Sequence, residues 1–574
     1  MLKLIPAVKR LEIKEGFLKK KAISFDKTGL DARLVKALCK LPVAGDGAKL
    51  SVTVTGTAGE GYALTVAEET ISITAQSNAG AFYAIQTLRQ LFTQETVPCL
   101  YIEDAPDFPH RGFYHDITRG RISTLETLLR LVEDMAYYKL NSLQLYVEHV
   151  FPFKETADLL EKSGCITPEE LKQVEKACQE NFIEFIPSLS TFGHMYEILE
   201  LPQYKHLAVL NEFETLKNFW DSRQRHHTVN PLAEGSEELV ESLIDQYYPL
   251  FESKFFNICC DETFDLDKYL ACQDPGKVYA DFVKKIIGMV KTRGRDVMMW
   301  ADILLKHPEV IDDIPDDTIF LNWNYKQEPP EENVAKLAQL GKKQILCPGN
   351  SAWHRLCEDV EVEEGNISKM AHYAKKYNAL GILNTNWGDW GHPANLELGM
   401  YGLVLGAEKS WTEATPVDES FYASVDHLLY RQEGAMELLK TIAPLQRKIP
   451  WRHFHSKHIR LRYGETHVVP ANEPAPISKE DLALIQGALV DLRQKLSGTW
   501  EKDEFRREFL CAAEGICLMA ELYAKLDGMA VKPLVDPDKW MADYSANWLR
   551  TNKEKELCRT DRYDRKPSRW WGWR

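Results

Sequence analysis

The sequence predicts a (β/α)8 barrel, preceded by a small N-terminal α+β domain and followed by a helical C-terminal domain. Three observations carry this. Between residues 106 and 414, eight short apolar runs alternate with amphipathic helical segments. Within residues 1–105, three segments place apolar residues at every second position. From 415 to 574 the apolar spacing is mainly helical. A period of two marks a half-buried strand and a period near 3.6 a helix. Strands alternating with helices mark a parallel α/β sheet.

In chain order, Leu50–Thr55, Tyr62–Val66 and Thr70–Ala75 read as strands, and Ala67-Glu-Glu69 suits a hairpin between the last two. Ala79–Phe92 puts Phe82, Ile85, Leu88 and Leu91 on one helical face. Asp104-Ala-Pro-Asp-Phe-Pro109 is a proline-marked boundary. The eight runs are Gly112–Ile117, Ser142–Val147, Phe182–Pro187, Phe255–Cys260, Val297–Trp300, Thr318–Trp323, Gln344–Pro348 and Leu380–Asn384. Helical segments lie between them at 123–139, 167–180, 237–251, 275–293, 331–341 and 365–377. Thr167-Pro-Glu-Glu170 is a helix start, a capping hydroxyl followed by proline in the first turn. An open doubly wound sheet is the alternative, but no glycine-rich phosphate fingerprint follows the first run. Helices are expected at Phe421–Leu439, Lys479–Lys495 and Phe505–Leu526, and the terminal Arg569-Trp-Trp-Gly-Trp-Arg574 is expected to pack on them.

Composition narrows the partners. The net charge of −15 disfavours nucleic acid, whose phosphates are bound by Lys and Arg, and argues against an anionic membrane surface. No apolar run is long enough to span a membrane. Met1-Leu-Lys-Leu-Ile-Pro6 lacks the features of a secretory leader, so the expected compartment is the cytoplasm. The 12 cysteines show no metal-type spacing, and Cys259-Cys260 and His226-His227 read as core and loop. No cofactor or metal is expected. A homodimer is compatible with the sequence, which does not fix the oligomeric state.

A barrel of this class carries its active site at the C-terminal ends of its strands. Those ends hold Asp116, Glu148-His149, the Thr191-Phe-Gly-His194 loop, Asp261-Glu262, Trp300-Ala-Asp302, Trp323-Asn-Tyr325, Ser351-Ala-Trp353 and Asn386-Trp-Gly-Asp-Trp390, while Arg111 opens the first strand. Turn chemistry alone would supply mainly Gly, Asn, Asp and Ser. Carboxylates and indoles around one rim are what sugar cleavage requires: acids to move protons and flat walls for a pyranose ring. One geometric objection stands against Asp261-Glu262, since neighbours on a regular strand point to opposite faces.

With these residues in place, the chain resembles glycoside hydrolase family 20, the β-N-acetylhexosaminidases, over about residues 60–410. The resemblance is carried by His110-Arg-Gly-Phe-Tyr-His-Asp-Ile-Thr-Arg119, Gly193-His194, Asp261-Glu262, Ala79-Gly-Ala-Phe-Tyr-Ala-Ile-Gln-Thr-Leu-Arg-Gln90 and Asn384-Thr-Asn-Trp-Gly-Asp-Trp-Gly-His392, the last like an intracellular-type branch. It implies exo-acting, retaining hydrolysis of terminal β-GlcNAc or β-GalNAc, with the substrate's 2-acetamido group as nucleophile. By the same resemblance Glu262 is the general acid and base, Asp261 holds the acetamido N–H, and His194 with Glu148 forms a relay. Arg111 and Asp389 would bind hydroxyls at the non-reducing end, and Trp300, Trp323 and Trp387 would box the acetamido methyl and ring. The family's usual relay acid is Asp, where Glu148 stands here. Its usual tyrosine after strand 7 is absent; Trp353 stands nearest, and Tyr325 is a second candidate for that donor. A lacto-N-biosidase-like activity and a catalytically silent carbohydrate-binding barrel are the alternatives.

Overall fold

Alternation in the first hundred residues builds a six-stranded sheet. Its strands are β1 (Arg10–Phe17), β2 (Ile23–Ser24), β3 (Ala48–Val54), β4 (Tyr62–Val66), β5 (Thr70–Ala75) and β6 (Pro98–Asp104), in the order β1-β6-β4-β5-β3-β2. The predicted hairpin is β4–β5, antiparallel from Tyr62↔Ala75 to Val66↔Ile71. The helix Asn78–Leu91, capped by the Ser77 hydroxyl, buries Phe82, Ile85, Leu88 and Leu91 as its spacing predicts. It is buried nearly all round because the barrel covers its other side: Phe82 meets Phe182, and Tyr83 meets Trp411. β1, β2 and β6 were not predicted. β1 is an edge strand, mostly exposed, so its pattern carries little burial signal.

The computed structural model describes residues 2–160, 164–211, 226–270, 274–389, 392–449, 477–526 and 528–557. The aromatic segment Arg569–Arg574 and Trp390 lie outside these residues.

All eight predicted runs become strands of one closed parallel barrel: β7 (His110–Asp116), β8 (Ser142–Val147), β9 (Glu184–Leu189), β10 (Phe255–Asn257), β11 (Asp296–Trp300), β12 (Ile319–Trp323), β13 (Lys343–Cys347) and β14 (Gly381–Asn386). β14 closes on β7 in register from Gly381↔His110 to Asn386↔His115. Closure needs glycine at 381, where a Cβ would lie 1.9 Å from the His110 carbonyl oxygen. The predicted helix start at Thr167 is a full capping box with Glu170. Tyr114, Tyr146, Ile186, Cys259, Trp300 and Leu321 belong to the cluster that fills the barrel interior, and Trp323, Tyr325 and Trp353 pack against it.

The expected helix Phe421–Leu439 is two helices, Glu419–Val425 and Ala435–Leu445, separated by a π turn and the left-handed Arg431 and Gly434. The Asp426 carboxylate accepts the Gly434 and Met436 N–H groups and so starts the second helix where the periodicity alone continued the first. Lys479–Lys495 is a helix as predicted, and a second runs Asp503–Leu526. A third, Pro537–Thr551, was not expected. These helices lean on the loops after β7 and β14: Arg121 donates to Asn395, whose amide donates to Glu508 at 2.7 Å.

Arg111 corrects a sequence expectation. It lies at the N-terminal end of β7, fully buried, and its guanidinium binds Glu60 at 2.6 and 3.0 Å, Phe108 O at 2.9 Å and Lys139 O at 3.0 Å. The rings of Tyr83 and Trp411 flank it at 5.2 and 4.9 Å. It joins the N-terminal sheet domain to the base of the barrel, at the end opposite the site. Removing one partner of such an ion pair leaves a desolvated charge. Arg111→Met is therefore expected to lower the unfolding free energy by ~3 kcal/mol, read from urea denaturation; a change under about 0.5 kcal/mol, the range of ordinary surface substitutions, would contradict this role.

Candidate active site

The two adjacent acids face one place because β10 stops early. It ends at Asn257, and Cys259, Cys260 and Glu262 then adopt left-handed backbone, with φ of 57°, 65° and 53°. Each such residue without glycine costs roughly 1–3 kcal/mol, so the turn must be held from outside. Ile258 N–H donates to Met298 O at 2.9 Å, and Trp300 N–H donates to Cys259 O at 3.0 Å. Thr191 Oγ1 donates to Ile258 O at 2.6 Å, Tyr279 OH to Cys260 O at 2.8 Å, and Glu262 N–H to Asp302 Oδ2 at 3.0 Å. On the β9 side, a Cβ at Gly193 would sit 2.3 Å from the Asp261 carbonyl oxygen, so only glycine lets the loops meet there.

The next residue, His194, is itself left-handed, with φ 59°, and buried. Its Nε2 lies 3.4 Å from Asp261 Oδ2 and 3.3 Å from Glu262 Oε2. Burial favours the neutral ring, but Asp261, helped by Glu262, outweighs it and pushes the imidazole up to about 9. Nδ1 lies 3.9 Å from Glu148 Oε1, an ion-pair distance and too long for a hydrogen bond. Glu148 Oε1 takes the Tyr146 hydroxyl at 2.8 Å. Burial resists ionisation of Glu148, but His149, Arg119 and His194 together pull its carboxyl down to about 2.

Arg119 is the functional residue that sequence reasoning missed. It follows the C-terminal end of β7 and binds Asp389 at 3.0 Å, Glu148 at 3.4 Å and Asp116 at 3.6 Å. Its guanidinium lies over the rings of Tyr146 and Trp387, at 4.9 and 5.3 Å. Asp116 accepts the Thr118, Arg119 and Gly388 N–H groups, which ties the first and last strand ends together. Its carboxyl is raised to about 6 by burial, which the charge of Arg119 offsets in part. The strand-end rule was the available signal: Arg119 stands after the strand, whereas Arg111 lies at its N-terminal end.

The aromatic residues pack against one another beneath and beside these charges. Trp300 is fully buried, edge-on to Tyr114 at 5.3 Å and tilted on Trp387 at 5.6 Å. Trp387 Nε1 donates to Tyr325 OH at 2.7 Å. Tyr325 stacks on Trp323 at 5.1 Å and meets the Trp353 ring at 5.0 Å. Among the side chains of the site that stay partly open to solvent are Glu262 at 21 %, Asp389 at 18 %, Arg119 at 15 % and Asp261 at 10 %. The structure thus brings together Asp261, Glu262, His194, Glu148, Asp389, Trp300, Trp323, Tyr325, Trp353 and Trp387, and places Arg111 elsewhere.

His194, Asp261 and Glu262 bring one ligand atom each within 4.8 Å of the others, a set that could hold a cation. A protonated imidazole offers no lone pair to a metal. The raised His194 sets an imidazolium beside the two acids.

Comparison with known proteins agrees with this geometry. Residues 108–430, more than half of the chain, match the family model described as glycosyl hydrolase family 20, catalytic domain, and residues 2–105 match its domain 2. A β-hexosaminidase of Porphyromonas gingivalis is 25 % identical over 284 residues, covering 43 % of this chain and 36 % of that protein. A lacto-N-biosidase of Bifidobacterium bifidum is 24 % identical over 390 residues, covering 64 % of this chain and 30 % of that one. This chain spans about a third of the length of these two relatives. Among solved structures, a Flavobacterium johnsoniae chitobiase shares the fold, with a TM-score of 0.61, 16 % identity, and coverage of 94 % and 95 % of the two chains.

The raised His194 sets a pH dependence. A group whose folded pKa lies above its unfolded value, here about 9 against 6.5, adds stability that is complete below 6.5 and lost as pH rises through 9. The melting temperature is expected to fall from pH 6.5 to 9.5, and to fall less steeply in His194→Gln. Equal slopes in a differential scanning series would contradict the assignment.

Proposed function

Because the chain belongs to glycosyl hydrolase family 20, we propose that it removes terminal β-linked N-acetylhexosamine from glycans, with retention and with the substrate's own acetamido oxygen as nucleophile. The observation that carries this is the convergence of Asp261 and Glu262 on His194 Nε2, at 3.4 and 3.3 Å.

Glu262, the most open of the four, is the proton donor to the leaving oxygen and then the base that activates water. Asp261 takes the acetamido N–H and opposes the positive charge of the cyclised intermediate. His194 faces both acids, and its positive charge offsets their mutual repulsion. Asp389 and Arg119 bind hydroxyls at the non-reducing end, an arginine–carboxylate pair suited to directed bonds. Their pairing at 3.0 Å across the strand ends supports exo cleavage. The donor to the acetamido oxygen is Tyr325: its OH already accepts from Trp387, which leaves its own proton for a ligand. Trp353 is its edge-on support. A second reading, release of a disaccharide, draws on the similarity to the B. bifidum lacto-N-biosidase; the length of the released sugar separates the two.

No helix among the described residues is long and apolar enough to cross a membrane. Ten free cysteines among those residues favour a reducing compartment and support a cytoplasmic location.

Selectivity should come from chemistry more than from binding. Burying the acetamido methyl contributes only about 1 kcal/mol, whereas a placed internal nucleophile contributes roughly 7 kcal/mol or more. An aryl N-acetyl-β-glucosaminide is expected to exceed the matching β-glucoside by ~10⁵-fold in kcat/KM; comparable values would refute the mechanism. Tyr325→Phe should lower kcat by ~100-fold, as loss of one preorganised donor does, and Trp353→Phe by much less. The reverse order would move the donor to Trp353.

A further inference from the structure

We infer that Asp302 is a positioning residue for the acid–base group: its side-chain oxygen accepts the Glu262 backbone N–H and fixes the left-handed residue from which that side chain leaves. This rests on the role proposed for Glu262.

Asp302 stands two residues after β11 and opens the short helix Asp302–Lys306. β10 and β11 run parallel in register, Phe255↔Asp296 and Asn257↔Met298, so the end of one strand delivers Asp302 beside the turn of the other. Oδ2 accepts Glu262 N–H at 3.0 Å. Within the turn, Phe264 N–H donates to Glu262 O at 2.7 Å. Asp302 is thus a tie from outside the turn on the Glu262 backbone, where φ is 53°. A small backbone rotation there would swing the carboxyl by its full side-chain length, and misplacement of about 1 Å costs ~100-fold in rate.

The surroundings of Asp302 are acidic. Asp261 and Glu262 face it from the turn, as do the Cys260 thiol and the Tyr279 hydroxyl from the helix Pro275–Thr292. Its second oxygen, Oδ1, is buried and accepts no hydrogen bond among the described residues. Burial, reinforced by Asp261, raises the carboxyl to about 8. Below that value a neutral Asp302 still offers a carbonyl oxygen to the Glu262 N–H and adds no third negative charge to the site. Above it, the new charge faces Glu262.

Asp302→Ala and Asp302→Asn separate these contributions, because asparagine keeps a carbonyl acceptor and loses the titration. With p-nitrophenyl N-acetyl-β-glucosaminide, Asp302→Ala is expected to lower kcat/KM by ~10–100-fold. The defect should shrink to within about threefold for the 2,4-dinitrophenyl glycoside, whose leaving group needs little help from an acid. Asp302→Asn should stay within about fivefold of the parent and lack the basic limb near pH 8 that is expected of the parent. The assignment is overturned if Asp302→Ala is as active as the parent, if its defect is the same for both leaving groups, or if Asp302→Asn falls as far as alanine. Should the alanine variant not fold, the asparagine variant decides on its own: near-parental activity with a flattened basic limb supports the role, and a loss beyond tenfold removes it. A parent without turnover of either glycoside fells the proposed function and this inference together, whereas an active parent with an unaffected Asp302→Ala fells only the latter.

Discussion

Two neighbouring carboxyls can share one face only where the strand that carries them stops being a strand. β10 ends at Asn257, and the chain spends the next five residues in a turn that an isolated peptide would not adopt. Its cost is met by bonds from three directions: Thr191 in the loop after β9, Met298, Trp300 and Asp302 of β11 and its end, and Tyr279 of the following helix. Each net contribution is about 1 kcal/mol, comparable with the strain it offsets. The barrel therefore acts as a clamp on these five residues, and the glycine at 193 is the space the clamp needs.

Charge follows from this geometry. Once Asp261 and Glu262 converge, the site holds more acids than a buried volume tolerates, with Glu148, Asp116, Asp302 and Asp389 nearby. Arg119 and His194 are the cations that answer them. Arg119 spans from Asp389 to Glu148, and His194 stands between Glu148 and the acid pair. Burial raises the carboxyls of Asp116 and Asp302, whereas at Glu148 the neighbouring His149, Arg119 and His194 outweigh it.

Much of this was legible in the sequence. The eight barrel strands were found because a strand covered on both sides is a short continuous apolar run, as in β8, where all six residues are buried. Their ends were less certain. Phe182 was expected to begin β9 but is left-handed, with φ 57°, and completes the turn after the preceding helix, so the strand starts at Glu184. Cys259 and Cys260 look like strand residues by their apolarity, and nothing in their composition signals left-handed backbone. The arginines show the same limit. Arg111 and Arg119 flank one strand, and a rise of about 3.3 Å per residue carries them roughly 20 Å apart, one to a structural ion pair and the other to the site. Asp302 was visible as a strand-end acid, but its reach to Glu262 depends on the register of β10 against β11, which a single sequence does not state.

The most direct measurement is a crystal structure with a thiazoline analogue of the cyclised sugar. The account places the ring nitrogen against Asp261, the Glu262 carboxyl near the anomeric carbon on the leaving-group side, the Tyr325 hydroxyl at the sulfur that stands for the acetamido oxygen, and Arg119 and Asp389 on the far hydroxyls. An analogue bound with Asp261 and Glu262 pointing apart, one of them turned into the protein, would contradict it.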